Sequence, residues 1–213
     1  MTQSPIFDDY FCDRLEDLIL WRRDVRRFQN RPVDPGLIEH LLGVACLAPS
    51  VGNSQPWRYV VVTDPARRIA VRRNFITCNS EALHDYQGER AKLYATLKLS
   101  GLDDAPVQIG VFCDHATAAG FGLGQKTMPE TLDYSVVASI QILWLTARAH
   151  GLGLGWVSIV DPALVKAALD VPEEWSLIAY LCIGYPQEEH TDPELIRHHW
   201  QDREALDKLI LRR

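Results

Sequence analysis

Gly151-Leu152-Gly153-Leu154-Gly155-Trp156-Val157-Ser158-Ile159-Val160 is the stretch on which the fold class turns. Glycine-rich runs suggest a dinucleotide-binding fingerprint, G-x-G-x-x-G, which follows a strand and opens a helix so that backbone N–H groups can approach a pyrophosphate. Here the spacing fails, and the glycines lead into Trp156 to Val160, whose aromatic and β-branched content predicts a strand. Gly120 to Gly124 fails on spacing too, so a Rossmann site is excluded.

Working outward, Val136, Val137, Ile140, Leu143, Trp144 and Ala147 mark one helix face, and Ile142 with Leu145 makes the opposite face apolar as well. Such a helix is expected to be buried all round, in the core or in a subunit interface. Trp57 to Val62, Val107 to Cys113 and Trp175 to Ile183 read as further strands. Phe11, Leu15, Leu18 and Ile19 predict an opening helix ending near Trp21, and Asp34-Pro35 starts a second, with Leu37, Ile38, Leu41, Leu42 and Ala45 on one face. Asp64 to about Leu102 predicts two helices, Asp161-Pro162 caps a short one, and the tail from Asp192 begins as helix. Ala116 to Glu130 is too long for a simple connection and is a candidate functional loop. The order predicts an α+β fold, a mixed central sheet wrapped by helices, and residues 1–213 are expected to form one domain.

Composition narrows the function. The 213 residues are 47% hydrophobic and 23% charged with ordinary Gly and Pro, which excludes collagen-like and largely disordered chains. A formal charge of −6 gives no reason to expect nucleic acid. The most apolar segment, Tyr134 to Ala147, falls short of the roughly 20 residues needed to cross a bilayer. Asp8, Asp9 and Asp13 interrupt any signal-peptide pattern, so a cytoplasmic protein is expected. Cys12, Cys46, Cys78, Cys113 and Cys182 form no C-x-x-C pair and read as reduced core residues. No H-E-x-x-H and no G-x-S-x-G is present, so neither a metal site nor a hydrolase elbow is expected.

What remains is Arg22-Arg23-Asp24-Val25-Arg26-Arg27 and Pro49-Ser50-Val51-Gly52-Asn53-Ser54-Gln55-Pro56. If the first segment is extended, Arg22, Asp24 and Arg26 share a face, and two guanidiniums flanking a carboxylate can grip a phosphate. The bland alternative is a self-neutralised surface turn. The second stretch offers hydroxyls and amides on a rigid turn, or is an ordinary helix-to-strand connection. A phosphate, a polyol and a heteroaromatic ring would use both, which suggests FMN.

Four motifs carry a resemblance: R-R-D-V-R-R-F at Arg22 to Phe28, A-P-S-V-G-N-S-Q-P-W at Ala48 to Trp57, M-P-E-T-L-D-Y-S at Met128 to Ser135 and G-L-G-W-V-S at Gly153 to Ser158. In this order they resemble the nitroreductase superfamily and, within it, the aerobic 5,6-dimethylbenzimidazole synthase branch, from about Leu15 to Arg203. The resemblance implies an intertwined FMN-binding homodimer with sites at the subunit interface and a tail, about 192–213, docked on the partner. It implies flavin contacts from Arg22, Arg23, Asp24, Val25, Arg26, Pro49, Ser50, Val51, Asn53, Gln55, Leu97, Trp156, Val157, Ser158 and Arg203.

The branch fragments reduced FMN with O2 to dimethylbenzimidazole, the lower ligand of vitamin B12, and erythrose 4-phosphate. A separate flavin reductase would supply the reduced FMN. Asp24 stands where general nitroreductases carry a small hydroxyl residue, and as acid or base it would serve the fragmentation. Ser158 would steer the flavin–oxygen adduct or a proton near flavin N5. The alternatives are an NAD(P)H-dependent nitroreductase or flavin reductase that keeps its FMN, and a non-enzymatic flavin-binding protein.

Overall fold

The computed structural model describes residues 4–96 and 100–213. Three helices start on the same device. Before α2 (Pro35–Ala45), α3 (Pro65–His84) and α7 (Pro162–Leu169), an aspartate accepts a backbone N–H of the first turn and a proline fills N1. Proline has no N–H to leave unsatisfied there, and each cap contributes about 1 kcal/mol. Asp8 caps α1 (Asp9–Trp21) in the same way through Phe11 N–H, 2.9 Å.

Four strands, β1 (Trp57–Val61), β2 (Val107–Asp114), β3 (Gly153–Val157) and β4 (Trp175–Gly184), form one sheet in the order β1-β2-β4-β3. All three pairings are antiparallel. The sheet is therefore antiparallel, and an isolated parallel bridge between Asp24 and Leu154 lies outside its strands at the β3 edge. Alternation sends Ile109, Val111, Leu181 and Ile183 to one face, where they pack with α2 and α6 (Thr131–Ala149). Phe112, Tyr180 and Cys182 go to the other, against α3, α7 and the short α5 (Gly101–Asp104).

Several expectations shift. The segment expected to hold two helices holds three, α3, α4 (Gly88–Thr96) and α5. The third strand begins at Gly153 rather than Trp156 and ends at Val157, so Ser158 lies just beyond it. Its glycines are strand residues for a steric reason: a Cβ on Gly155 would stand 2.2 Å from Val25 O, and one on Gly153 2.6 Å from Val25 Cγ2. The two-faced helix α6 buries Val136, Ile140, Leu143 and Ala147, while Tyr134 and Val137 are exposed. Cys113 and Cys182 are buried as expected, but Cys12 and Cys46 are exposed, because α1 buries no residue and Cys46 stands at the end of α2. Among the described residues no helix is long and apolar enough to cross a membrane.

Candidate functional site

Arg22 leaves α1 with its N–H still bonded to Leu18 O, and the next residues run extended across β3. Val25 N–H donates to Leu154 O at 3.0 Å, Trp144 Nε1 donates to Arg23 O at 3.2 Å, and Phe28 is sunk in the core. The segment is therefore held as an extra edge strand. With Val25 turned onto the glycines, its neighbours Asp24 and Arg26 turn the other way.

There Arg22, Arg23, Asp24 and Arg26 line a cavity of about 350 Å³, with Pro193 to Ile196 and Gln201 to Arg203 as its other wall. Asp24 Oδ1 accepts the Trp156 N–H at 2.9 Å, whereas Oδ2 lies 3.6 Å from Arg26 Nε, an ion pair without a hydrogen bond. The side chain keeps 37% of its surface exposed. Burial pushes the carboxyl above the usual carboxylate range. The Trp156 N–H, Arg26 and Arg22 pull the other way, and Glu194 adds to the rise. One oxygen is thus anchored and the other available, on a group whose protonated form is favoured over that of a free aspartate. That is what a general acid or base requires.

The guanidiniums around it are under-used. Arg22 stacks 4.9 Å above the Trp144 ring, and Arg23 reaches back to Ile19 O and Leu20 O. The Nε atoms of Arg22, Arg23 and Arg26 have no hydrogen-bond partner. Burial holds the Arg22 and Arg23 guanidiniums below their ordinary value, and Arg203 adds its repulsion to both. The crowded guanidiniums of Arg22, Arg23, Arg26 and Arg203 around one cavity form a receptor for an anion.

The second motif is built differently. Ser50 Oγ accepts the Gln55 N–H and Ser135 Oγ accepts the Val51 N–H, each at 3.0 Å. Gly52, Asn53 and Gln55 all adopt left-handed φ. A Cβ on Gly52 would stand 2.8 Å from Leu123 O, and one on Gly120 2.6 Å from Gly52 O. The Pro49–Pro56 turn and the Gly-rich loop are thus interlocked by bare backbone, which gives that loop its composition.

The residues lining the arginine cavity do not include Pro49, Ser50, Val51, Asn53 or Gln55, nor Trp156, Val157 or Ser158. Trp156 reaches Asp24 through its N–H, Val157 is buried, and Ser158 is exposed at the strand end. Leu97 lies outside the described residues.

Two features escaped the sequence reading. Glu194, 9% exposed, faces Arg26 and Arg27 from α8 (Glu194–Arg197); its one signal is an acid after Pro193 at a helix start. Cys113, His115 and Asp133 bring their ligand-type atoms within 4.8 Å of one another, with no spacing that announces it. The Cys113 thiol is pushed up to about 12 by burial and by its bond to Asp133. His115 Nε2 lies 2.9 Å from Asp133 Oδ1, which brings the residue after β2 against the start of α6.

The nitroreductase family matches residues 19–185, and the chain belongs to that family. The 5,6-dimethylbenzimidazole synthase of Rhodospirillum rubrum is 57% identical over 203 residues, covering 95% of this chain and 96% of that protein. A 5,6-dimethylbenzimidazole synthase of Rhodobacter capsulatus is 46% identical over 196 residues, covering 92% and 95%. Among solved structures, oxidized iodotyrosine deiodinase bound to FMN and 3-iodo-L-tyrosine superposes with a TM-score of 0.70 at 26% identity, covering 83% of this chain and 91% of that one.

Proposed function

We propose that this chain is a 5,6-dimethylbenzimidazole synthase, which fragments reduced FMN with O2 to dimethylbenzimidazole and erythrose 4-phosphate. The observation that carries the reading is Asp24, a carboxyl anchored at one oxygen and raised by burial, set among arginines that line the same cavity. The near-complete similarity to two synthases supports it over a nitroreductase or flavin reductase, since hydride transfer gives an acid at this position no task.

The residues fit FMN. Four guanidiniums, of Arg22, Arg23, Arg26 and Arg203, line one cavity and suit a phosphate. When bound, reduced FMN would supply the electrons for O2 and the carbon skeleton of the product. Arg22, Arg23 and Arg203 would bind the phosphate end, at a cost to them of little desolvation because burial has already imposed it. Asp24 would hold or deliver a proton at Oδ2 while Trp156 N–H keeps Oδ1 in place. Ser158, exposed at the end of β3, would present its hydroxyl near flavin N5, beside the backbone of Trp156 and Val157.

The working unit is an intertwined homodimer. Phe11, Leu15 and Ile19 on α1, Tyr134 and Val137 on α6, and Leu206, Leu209 and Leu211 in the tail are exposed apolar side chains. Exposed apolar side chains in such number are what a subunit interface would cover. A dimer would also bring a partner's Pro49–Gln55 turn, with Leu97, to complete a cavity that one chain leaves open. The whole chain acts as one FMN-binding domain in the cytoplasm, with a separate reductase supplying reduced FMN. Asp24→Asn tests the assignment: FMN binding is expected to persist while dimethylbenzimidazole formation falls about 100- to 10,000-fold. Undiminished product would remove Asp24 from the mechanism.

A further inference from the structure

Arg26 lies between two carboxylates and hydrogen-bonds to neither. Its Nε stands 3.6 Å from Asp24 Oδ2 and its Nη1 3.9 Å from Glu194 Oε1, with the arginine side chain 13% exposed. Glu194 is otherwise well held. Arg27 reaches both of its oxygens, Nη1 to Oε1 at 3.4 Å and Nη2 to Oε2 at 3.1 Å, and His198 Nε2 is 3.6 Å from Oε1. Arg27 in turn is bonded to Glu188, so it needs Glu194 less than Glu194 needs cations. The charges of Arg26 and Glu194 act on Asp24 in opposite directions, and a guanidinium that leans toward one acid has fewer N–H groups to close on the other.

We propose that Glu194 is the positioning residue of the site: by engaging Arg26 it keeps that guanidinium from closing on Asp24, and so leaves Asp24 free to carry a proton. The groups facing Asp24 are Arg22 and Arg26 on its own segment, the Trp156 N–H from β3, Cys182 from β4 and Glu194 from α8. Arg203 shares the cavity. Of these, Glu194 is the one carboxylate, and its charge adds to burial in pushing the Asp24 carboxyl up. The role assigned to Asp24 rests on the synthase reading; the geometry of the three side chains does not.

The test is a carboxyl ¹³C titration of the aspartate-labelled full-length protein, with the Asp24 signal assigned by its loss in Asp24→Asn. In Glu194→Gln, Asp24 is expected to titrate about one pH unit lower than in the wild type, as a cation released onto a neighbouring carboxylate does. The acid limb of dimethylbenzimidazole formation should move with it. Glu194→Met, of similar volume and with Arg27 still paired to Glu188, guards against loss of fold and should give the same downward shift. An Asp24 titration unchanged or raised in a folded Glu194 variant would overturn the proposal. A wild-type chain that shows the expected shift on substitution yet forms no product would instead sink the synthase reading and leave the positioning role standing.

Discussion

The Arg22–Phe28 segment and the Pro49–Pro56 turn are both polar, and both depend on glycines elsewhere in the chain, yet they are built on opposite principles. The first is a strand-like run whose backbone is bonded into β3 and whose side chains do the work, with Gly153 and Gly155 cleared so that Val25 can lie flat. The second is a turn with three left-handed residues whose polar groups are largely spent on itself, locked to the Gly-rich loop. A region that presents charges must be rigidly anchored but open. A region that presents backbone can be open only toward something outside its own chain. In the proposed homodimer, these two regions of one chain would serve two different sites.

The largest expected effect follows from that. Asp24→Asn and Gly52→Val should each abolish product formation alone. Isolated heterodimers of the two should recover about half of the wild-type sites, because one of the two sites in each heterodimer is then wholly native. No recovery in verified heterodimers would mean both regions serve the same site from the same chain. Next in size, Gly155→Ala places a Cβ against a fixed carbonyl and is expected to cost about 3 kcal/mol, with FMN affinity lost at the same time. Gly52→Ala, strained by its φ and by Leu123 O, should cost about 1 kcal/mol; thermal unfolding of the two variants ranks the regions. Arg203→Ala should weaken FMN binding about tenfold, and the loss should shrink at high salt, measured by flavin fluorescence.

The smallest effect lies at Glu188, an ion-pair partner of Arg27. His190 and Arg27 hold the Glu188 carboxyl down to about 2, from an ordinary value of 4.5. Its folded-state value is depressed, so its contribution to stability is complete above pH 4.5 and is lost as the pH falls from there to about 2. In that window the wild-type Tm should fall more steeply than that of Glu188→Gln, by an amount that salt reduces.

The same contrast explains what was legible in the sequence. Helix starts were readable because Asp-Pro caps act locally, and β1, β2 and β4 because they are short apolar runs rich in β-branched and aromatic residues. β3 was misplaced because Gly153 and Gly155 look like punctuation until Val25 is seen lying over them. Arg22, Asp24 and Arg26 were legible as a cluster because extended backbone alternates. Glu194 was not, since its partners lie some 170 positions earlier in the chain and no short-range pattern marks a contact that the fold alone creates. The sequence reading put Ser158 inside a strand, and it stands exposed at the end of one.

The central claim is that this arginine-ringed carboxyl serves the destruction of a flavin rather than its reuse. The most direct measurement loads the protein with reduced FMN without oxygen, admits air, and separates the small molecules by chromatography with mass detection. Dimethylbenzimidazole, formed at the expense of FMN and absent with Asp24→Asn, is the result expected. Recovery of intact oxidised FMN alone from an occupied site would contradict it and place the chain among the reductases of its family.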